Sequence, residues 1–175
     1  MRHALALGLA VALAGCDGGD VLGLYPSIKA EAEAPLALTG RVVDAAEIIP
    51  ADMESHLTNQ LAALERDTSA QFVVVTTPDL SGYYIEDYSL QLGRAWGIGD
   101  AERDDGVLLV VAPNERKVRI EVGYGLEDTV LPDEVAAQYI RAMIPHFERS
   151  DMTGAITVGV DSIDAHLRAQ TGHGA

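Results

Sequence analysis

Phe72-Val73-Val74-Val75-Thr76 and Gly106-Val107-Leu108-Leu109-Val110-Val111-Ala112 are unbroken runs rich in β-branched residues. A strand with one wet face alternates polar with apolar side chains; a strand covered on both faces has no reason to, so both runs read as buried strands. Between them, Ile85, Tyr88, Leu92 and Trp96 recur at helical spacing over about Tyr84 to Trp96, and Gly97-Ile98-Gly99 ends that helix. A strand, a crossover helix and a second strand imply a parallel pair, expected to be right-handed. Val73, Val75, Leu108 and Val110 then belong to the sheet core between layers of helix.

Outward from this unit the pattern repeats. Arg41 to Val43, ending at Asp44, is a short strand, and Met53, Leu57, Leu61 and Leu64 trace a helix through about Thr68. Pro50 suits its first turn, and Asp52 and Glu54 suit its positive end. After the second buried run, Pro113-Asn114-Glu115-Arg116 reads as a turn. Lys117 to Val122 alternates charged residues with Val118, Ile120 and Val122, the mark of a strand with one wet face in an antiparallel hairpin. Two more helices follow, about Pro132 to Ile144, stopped by Pro145, and about Met152 to Ala169, with Ile156, Val160, Ile163 and Leu167 on its buried side. Strands alternating with helices give a three-layer α/β/α sandwich, a mixed sheet with one antiparallel hairpin, over residues 40–169. Residues 170–175 read as a frayed tail.

The amino terminus is of another kind. Met1-Arg2-His3 precedes an apolar run from Ala4 to Ala14, too short to cross a hydrocarbon core of roughly 30 Å. It has the form of a secretory signal, residues 1–15. Leu13-Ala14-Gly15-Cys16 resembles the lipobox of bacterial lipoproteins, and Cys16 is the only cysteine of the chain. The expectation is cleavage before Cys16 and lipid attachment to it, since several acyl chains together hold a protein on a membrane. Asp17 resembles the signal that retains lipoproteins in the inner membrane, which places the domain on the periplasmic face of the envelope. Residues 16–39 mix Gly, Ala, Glu and Pro without sustained period and read as a linker of roughly 25 Å if flexible.

The whole chain has 175 residues, 12 Lys plus Arg against 27 Asp plus Glu, and a net charge of -15. Such a surface repels nucleic acid and anionic headgroups, so proteins and metal ions are the partners it favours. One cysteine excludes an internal disulfide and a multi-cysteine metal site. The chain has no Gly-Lys-Ser phosphate loop, no Gly-x-Ser-x-Gly and no His-Glu-x-x-His, and His56, His146, His166 and His173 stand apart. Gly123-Tyr124-Gly125 follows a strand as a dinucleotide fingerprint does, but position 128 is Asp and no helix is expected after it.

The informative cluster is Asp100-x-Glu102-x-Asp104-Asp105-Gly106 with Gly123-Tyr124-Gly125-Leu126-Glu127-Asp128. The first half imitates a calcium loop, yet its Gly comes one place late and the bidentate Glu is missing, which rejects an EF-hand. If Ala112 pairs with Lys117, Asp105 lies opposite Tyr124 and two acidic loops share one end of the sheet. Converging carboxylates repel unless solvated or bridged by a hard cation, and spacing alone leaves both options open.

At this point the residues resemble the TPM domain family, found in bacterial membrane-associated proteins, plant thylakoid lumen proteins and a worm modulator of acetylcholine receptors. The resemblance is carried by Gly40-x-Val42-x-Asp44, Leu64-Glu65-x-x-Thr68-x-x-Gln71, Ile85-Glu86-x-Tyr88, Trp96-Gly97-Ile98-Gly99, Asp105-Gly106-Val107-Leu108-Leu109 and Arg119 through Glu127. It implies a Rossmann-like α/β/α sandwich. Some members bind calcium, and acid phosphatase activity has been attributed to a plant member. The acidic positions that match the family pattern are Asp44, Asp105 and Glu127, with Asp104 beside them. Asp105 stands where Asn is usual, and Ser69, Ser150 and Met152 replace the more usual Gly, Gly and Tyr. The expectation is a calcium site of Asp44, Asp104, Asp105 and Glu127 on a membrane-tethered interaction module whose partner is an envelope or membrane protein. The alternative is a metal-dependent phosphatase with unknown catalytic residues.

Overall fold

The computed structural model describes residues 34–127 and 130–171. The expected signal segment 1–15, Cys16, Asp17, the expected linker up to residue 33 and residues 172–175 lie outside the described residues. The elements are β1 (Val42–Asp44), α1 (Ala51–Thr68), β2 (Gln71–Thr76), α2 (Ile85–Trp96), β3 (Gly106–Ala112), β4 (Lys117–Val122), α3 (Tyr124–Glu127), α4 (Asp133–Glu148) and α5 (Met152–Thr171). The sheet order is β1-β2-β3-β4, with the first three strands parallel and β4 antiparallel to β3. Ala112 pairs with Lys117, the register that the hairpin reading requires.

The continuous runs are buried because each face of the sheet has its own helical cover. Val73, Val75, Leu108 and Val110 pack under Ile85, Tyr88 and Leu92 of α2. Their neighbours Val74, Val107, Leu109 and Val111 face the other way, against Leu57, Leu61 and Leu64 of α1, Met143 of α4, and Ile156, Val160 and Ile163 of α5. The three-layer sandwich is therefore present. Because the strands follow one another in space while α1 and α2 cover opposite faces, the two crossovers have opposite hands. The expected right-handed crossover from β2 to β3 thus requires a left-handed one from β1 to β2, against the usual preference.

Two expectations are corrected. Pro145 does not stop α4, which runs on to Glu148. A proline removes one N–H and crowds the carbonyl four residues back, a defect that the last turn of a helix tolerates when its end is otherwise held. Here the carbonyls of His146 and Phe147 accept the N–H groups of Arg149, Asp151 and Ser150, and Phe147 packs on the core. Secondly, a helical turn, α3, does follow Gly123: the Gly123 carbonyl accepts the N–H groups of Leu126 and Glu127, and the buried Leu126 anchors the turn. At the carboxyl end α5 continues past Ala169 to Thr171. At the other, Trp96 donates its indole N–H to the carbonyl of Leu36 at 2.9 Å, so the domain begins before residue 40. Among the described residues no helix is long and apolar enough to cross a membrane.

Candidate functional site

The acidic end of the sheet is assembled backbone against backbone. After α2 the chain turns through Gly99, at φ 97°, and lies so close to the start of β3 that a Cβ on Gly99 would sit 2.5 Å from the Gly106 nitrogen. Gly125 rests on the preceding loop in the same way, with a Cβ position only 1.7 Å from the Arg103 carbonyl oxygen. A Cβ on Gly123 would likewise sit 2.1 Å from the Asp104 carbonyl oxygen, so no side chain fits at any of the three places, which gives the Gly123-Tyr124-Gly125 spacing a steric cause in place of a phosphate-binding one. Asp105 ties the loop from inside. Its carboxylate, 7% exposed as a residue, accepts the Asp100 N–H at 2.8 Å and the Arg103 Nε–H at 2.7 Å, and its carbonyl accepts the Gln71 N–H. The hydrogen bond from Arg103 to Asp105 raises the guanidinium pKa further above its ordinary value, so this cation stays charged.

Beside this loop a cleft of about 440 Å³ opens between α2, β4 and α3. Leu108 and Gly93 line its apolar part; Asp100, Asp104, Glu127 and Asp133 supply its acidic part, with Arg94 and Arg119 as the cations. Glu121 lines it too, but its Oε2 already accepts the Ser89 hydroxyl and the Arg119 Nε–H, each at 3.0 Å. The charged side of β4 is therefore wet at Lys117 but half-buried at Arg119 and Glu121, and Ser89, Arg119 and Glu121 form a cluster that the alternation alone did not disclose.

The four expected metal ligands are not brought together. Asp44 pairs with Thr76 at the carboxyl ends of the parallel strands, whereas Asp105 precedes Gly106, which pairs with Gln71 at their amino ends. Five residues of strand separate these levels, roughly 17 Å. At its own end Asp44 accepts the N–H groups of Ile48 and Ile49, at 3.2 and 2.8 Å, and the Thr76 hydroxyl, so it shapes the turn into α1. Asp105 points into its loop and lines a separate cleft with Arg103 and Gly125. Asp104 and Glu127 alone of the four share the 440 Å³ cleft. Among the described residues no group of three or more His, Cys, Asp or Glu side chains is placed to hold one metal ion. A four-carboxylate calcium site as expected does not fit this arrangement. Strand polarity was the readable signal: in a parallel sheet the end of β1 and the start of β3 lie at opposite ends.

Two of the isolated histidines have structural partners. His166 joins Tyr139 Oη, at 2.8 Å from Nδ1, to the Val130 carbonyl on its other side. His146 meets Asp151, the residue that also accepts the Gly154 N–H at the start of α5. His56 is exposed, and His173 lies outside the described residues.

A family model described as the TPM domain matches residues 42–166. No curated protein matches the chain. Among solved structures, the N-terminal domain of a P. gingivalis protein is 33% identical, with a TM-score of 0.71 over 78% of this chain and 87% of that one. The N-terminal domain of cg2496 from Corynebacterium glutamicum is 20% identical, with a TM-score of 0.58 over 77% and 84%. The BA42 protein of Bizionia argentinensis is 18% identical, with a TM-score of 0.62 over 71% and 85%. The last two likenesses concern the fold alone.

Proposed function

The chain belongs to the TPM domain family, and from that premise we propose that it is a protein-interaction module held on the periplasmic face of a membrane by lipid on Cys16. The observation that carries the anchoring is the single cysteine at the end of Leu13-Ala14-Gly15-Cys16, directly after an apolar run of signal length. Asp17 favours the inner membrane. What supports an interaction role is the mouth of the cleft, where Asp104, Glu127 and Asp133 meet solvent in a chain of charge -15. A basic segment of an envelope or membrane protein is the complementary partner. A hard divalent ion would engage Asp104 and Glu127 with main-chain carbonyls and water completing its shell, since calcium accepts irregular oxygen sets.

The test has two arms. Mass spectrometry of the amino-terminal peptide should find acyl chains on Cys16, and a Cys16→Ser chain should stay unprocessed; wild-type protein with a free Cys16 thiol refutes the anchor. Capture from solubilised membranes should yield a partner that an Asp104→Lys, Glu127→Lys chain loses; equal capture by both removes the cleft from the reading. The phosphatase alternative requires metal-activated water. Hydrolysis of a chromogenic phosphate ester by wild type, lost in Asp104→Asn, would favour it.

A further inference from the structure

We infer that two copies of this chain join through the free edge of β4 in one antiparallel register, Ile120 against Ile120, making a continuous eight-stranded sheet. The inference goes beyond the partner proposed above and does not rest on it. It starts from hydrogen-bond parity. The Gly123 N–H donates to the Gly106 carbonyl, which makes Gly106 and Gly123 a hydrogen-bonded pair of the β3–β4 ladder. Alternation along an antiparallel pair then commits Lys117, Arg119 and Glu121 to β3 and turns the N–H and C=O of Val118, Ile120 and Val122 outward. None of these outward groups bonds to another described residue. The opposite edge, β1, is half as long.

An open edge is a template for another strand, and proteins commonly guard it with charge. Here the charges select a register instead. Two outward-facing sets can bond only if Val118, Ile120 and Val122 meet one another. With Ile120 on the two-fold axis, Val118 faces the second copy's Val122, and Arg119 faces the second copy's Glu121, twice. Sliding the strands by two residues sets Glu121 against Glu121 in one direction; in the other it sets Arg119 against Arg119 while Lys117 faces Glu121 twice. Opposite charges directly across a strand pair attract and like charges repel, so the Ile120 register is the one of the three that gains attractive pairs without a like-charge pair.

The surroundings fit the same pairing. Lys117 comes opposite the second copy's Gly123, which places the Arg116-Lys117 turn of each copy at the acidic mouth of the other's cleft, beside its Glu127. Reciprocally, Tyr124, 75% exposed, arrives next to a groove of about 810 Å³ in which Val118, Ile140, Ile144 and Phe147 form an apolar wall. A two-fold contact of this kind is self-complementary and closes after two copies.

Sedimentation of the full chain in non-ionic micelles, at less than one protein per micelle, should give a dimer. Arg119→Glu and Glu121→Arg should each weaken self-association by at least about tenfold, because two attractive cross-strand pairs become repulsive. Mixing the two variants should restore a dimer, since one copy then carries only acids and the other only bases at these positions. A purely structural role for the cluster would not give that complementation. Should either variant fail to fold, Arg119→Cys and Glu121→Cys chains co-expressed in membranes decide the matter. They should form a disulfide with one another under mild oxidant, in preference to either with itself, and wild type serves as the control for Cys16. A wild-type monomer at every concentration, a mixture of folded variants that stays monomeric, or cross-links indifferent to the pairing would overturn the inference.

Discussion

Ser69 and Ser150 occupy backbone positions built for glycine, and replacing each with glycine should stabilise the domain. Ser69 caps α1 at φ 64° and ψ -7°, and Ser150 follows α4 at φ 59°. Both keep their N–H bonded to the helix they end, to the carbonyls of Glu65 and Phe147, and a main-chain bond is indifferent to the side chain. Neither hydroxyl takes part in a hydrogen bond among the described residues, so nothing polar is lost. The left-handed region costs an L-residue roughly 1–2 kcal/mol, and the extra freedom of unfolded glycine takes back about 0.5–1 kcal/mol. Each change should therefore gain about 0.5–1 kcal/mol. The two residues line different clefts, so their effects should add, and the double variant should melt about 3–6 °C higher. Urea unfolding of Ser69→Gly, Ser69→Ala and Ser69→Val gives the decisive order: glycine above serine, alanine near serine, valine lowest, because a β-branched side chain fits this region worst. A glycine variant that unfolds at lower urea than wild type, or a valine variant that matches it, refutes the reasoning.

Leu108, 2% exposed beneath α2, should cost about 2–5 kcal/mol when cut to Ala, and Gly93→Ala should be better tolerated in that variant than in wild type. The added methyl meets Leu108 Cδ1 at 3.2 Å in the wild-type packing and finds room once it is gone, which a double-mutant cycle in urea reads directly. Asp105→Ala should cost about 1–3 kcal/mol by leaving the Asp100 N–H unpaired and Arg103 with the Asp100 carboxylate alone. Asp105→Asn, which can still accept the Asp100 N–H, should cost less by the same assay. For acid stability, the hydrogen bond from His146, then that from Gly154, holds the Asp151 carboxyl below its usual 3.8. A lowered folded value means stability that is complete above about 3.8 and is lost as the pH falls through the folded value. Between about pH 5 and about pH 3, wild type should thus lose more urea resistance than Asp151→Asn does, and equal losses would contradict this assignment.

The layers and the core were legible because the runs at Phe72 and Val107 leave no alternative to strands covered on both faces, and because hydrophobic spacing names the buried side of each helix. The ends of elements were less legible. Pro145 reads as a stop on local grounds, yet Phe147, half-buried, packs against the core and the turn survives. The α3 turn has four residues, too few for any period, and exists because Leu126 is buried. The serines at 69 and 150 were visible only as departures from a family habit; the positive φ supplies the reason for the habit. The opposite hands of the two crossovers could not be read at all, because which face a helix covers is settled by the packing of α1 against α5, on which α4 rests in turn.

The acidic motif residues illustrate a distinction that spacing cannot make. A carboxylate is equally at home accepting backbone N–H groups and accepting a cation, and both uses draw on the same lone pairs. Asp44 spends its oxygens on Ile48, Ile49 and Thr76, and Asp105 spends its own on Asp100 and Arg103. Each closes a loop at one end of the parallel strands, where the chain must leave or enter the sheet with its main-chain donors unpaired. Drawing either residue onto an ion would free those donors inside the fold, a cost that opposes the gain from coordination. Asp104 differs by a single position: it lies at φ 47° on the outer side of the same turn, exposed, with its main-chain groups rather than its carboxylate tied to the loop. The neighbouring acids of the Asp104-Asp105 pair therefore have opposite tasks, one holding the loop from within and one facing whatever the cleft receives.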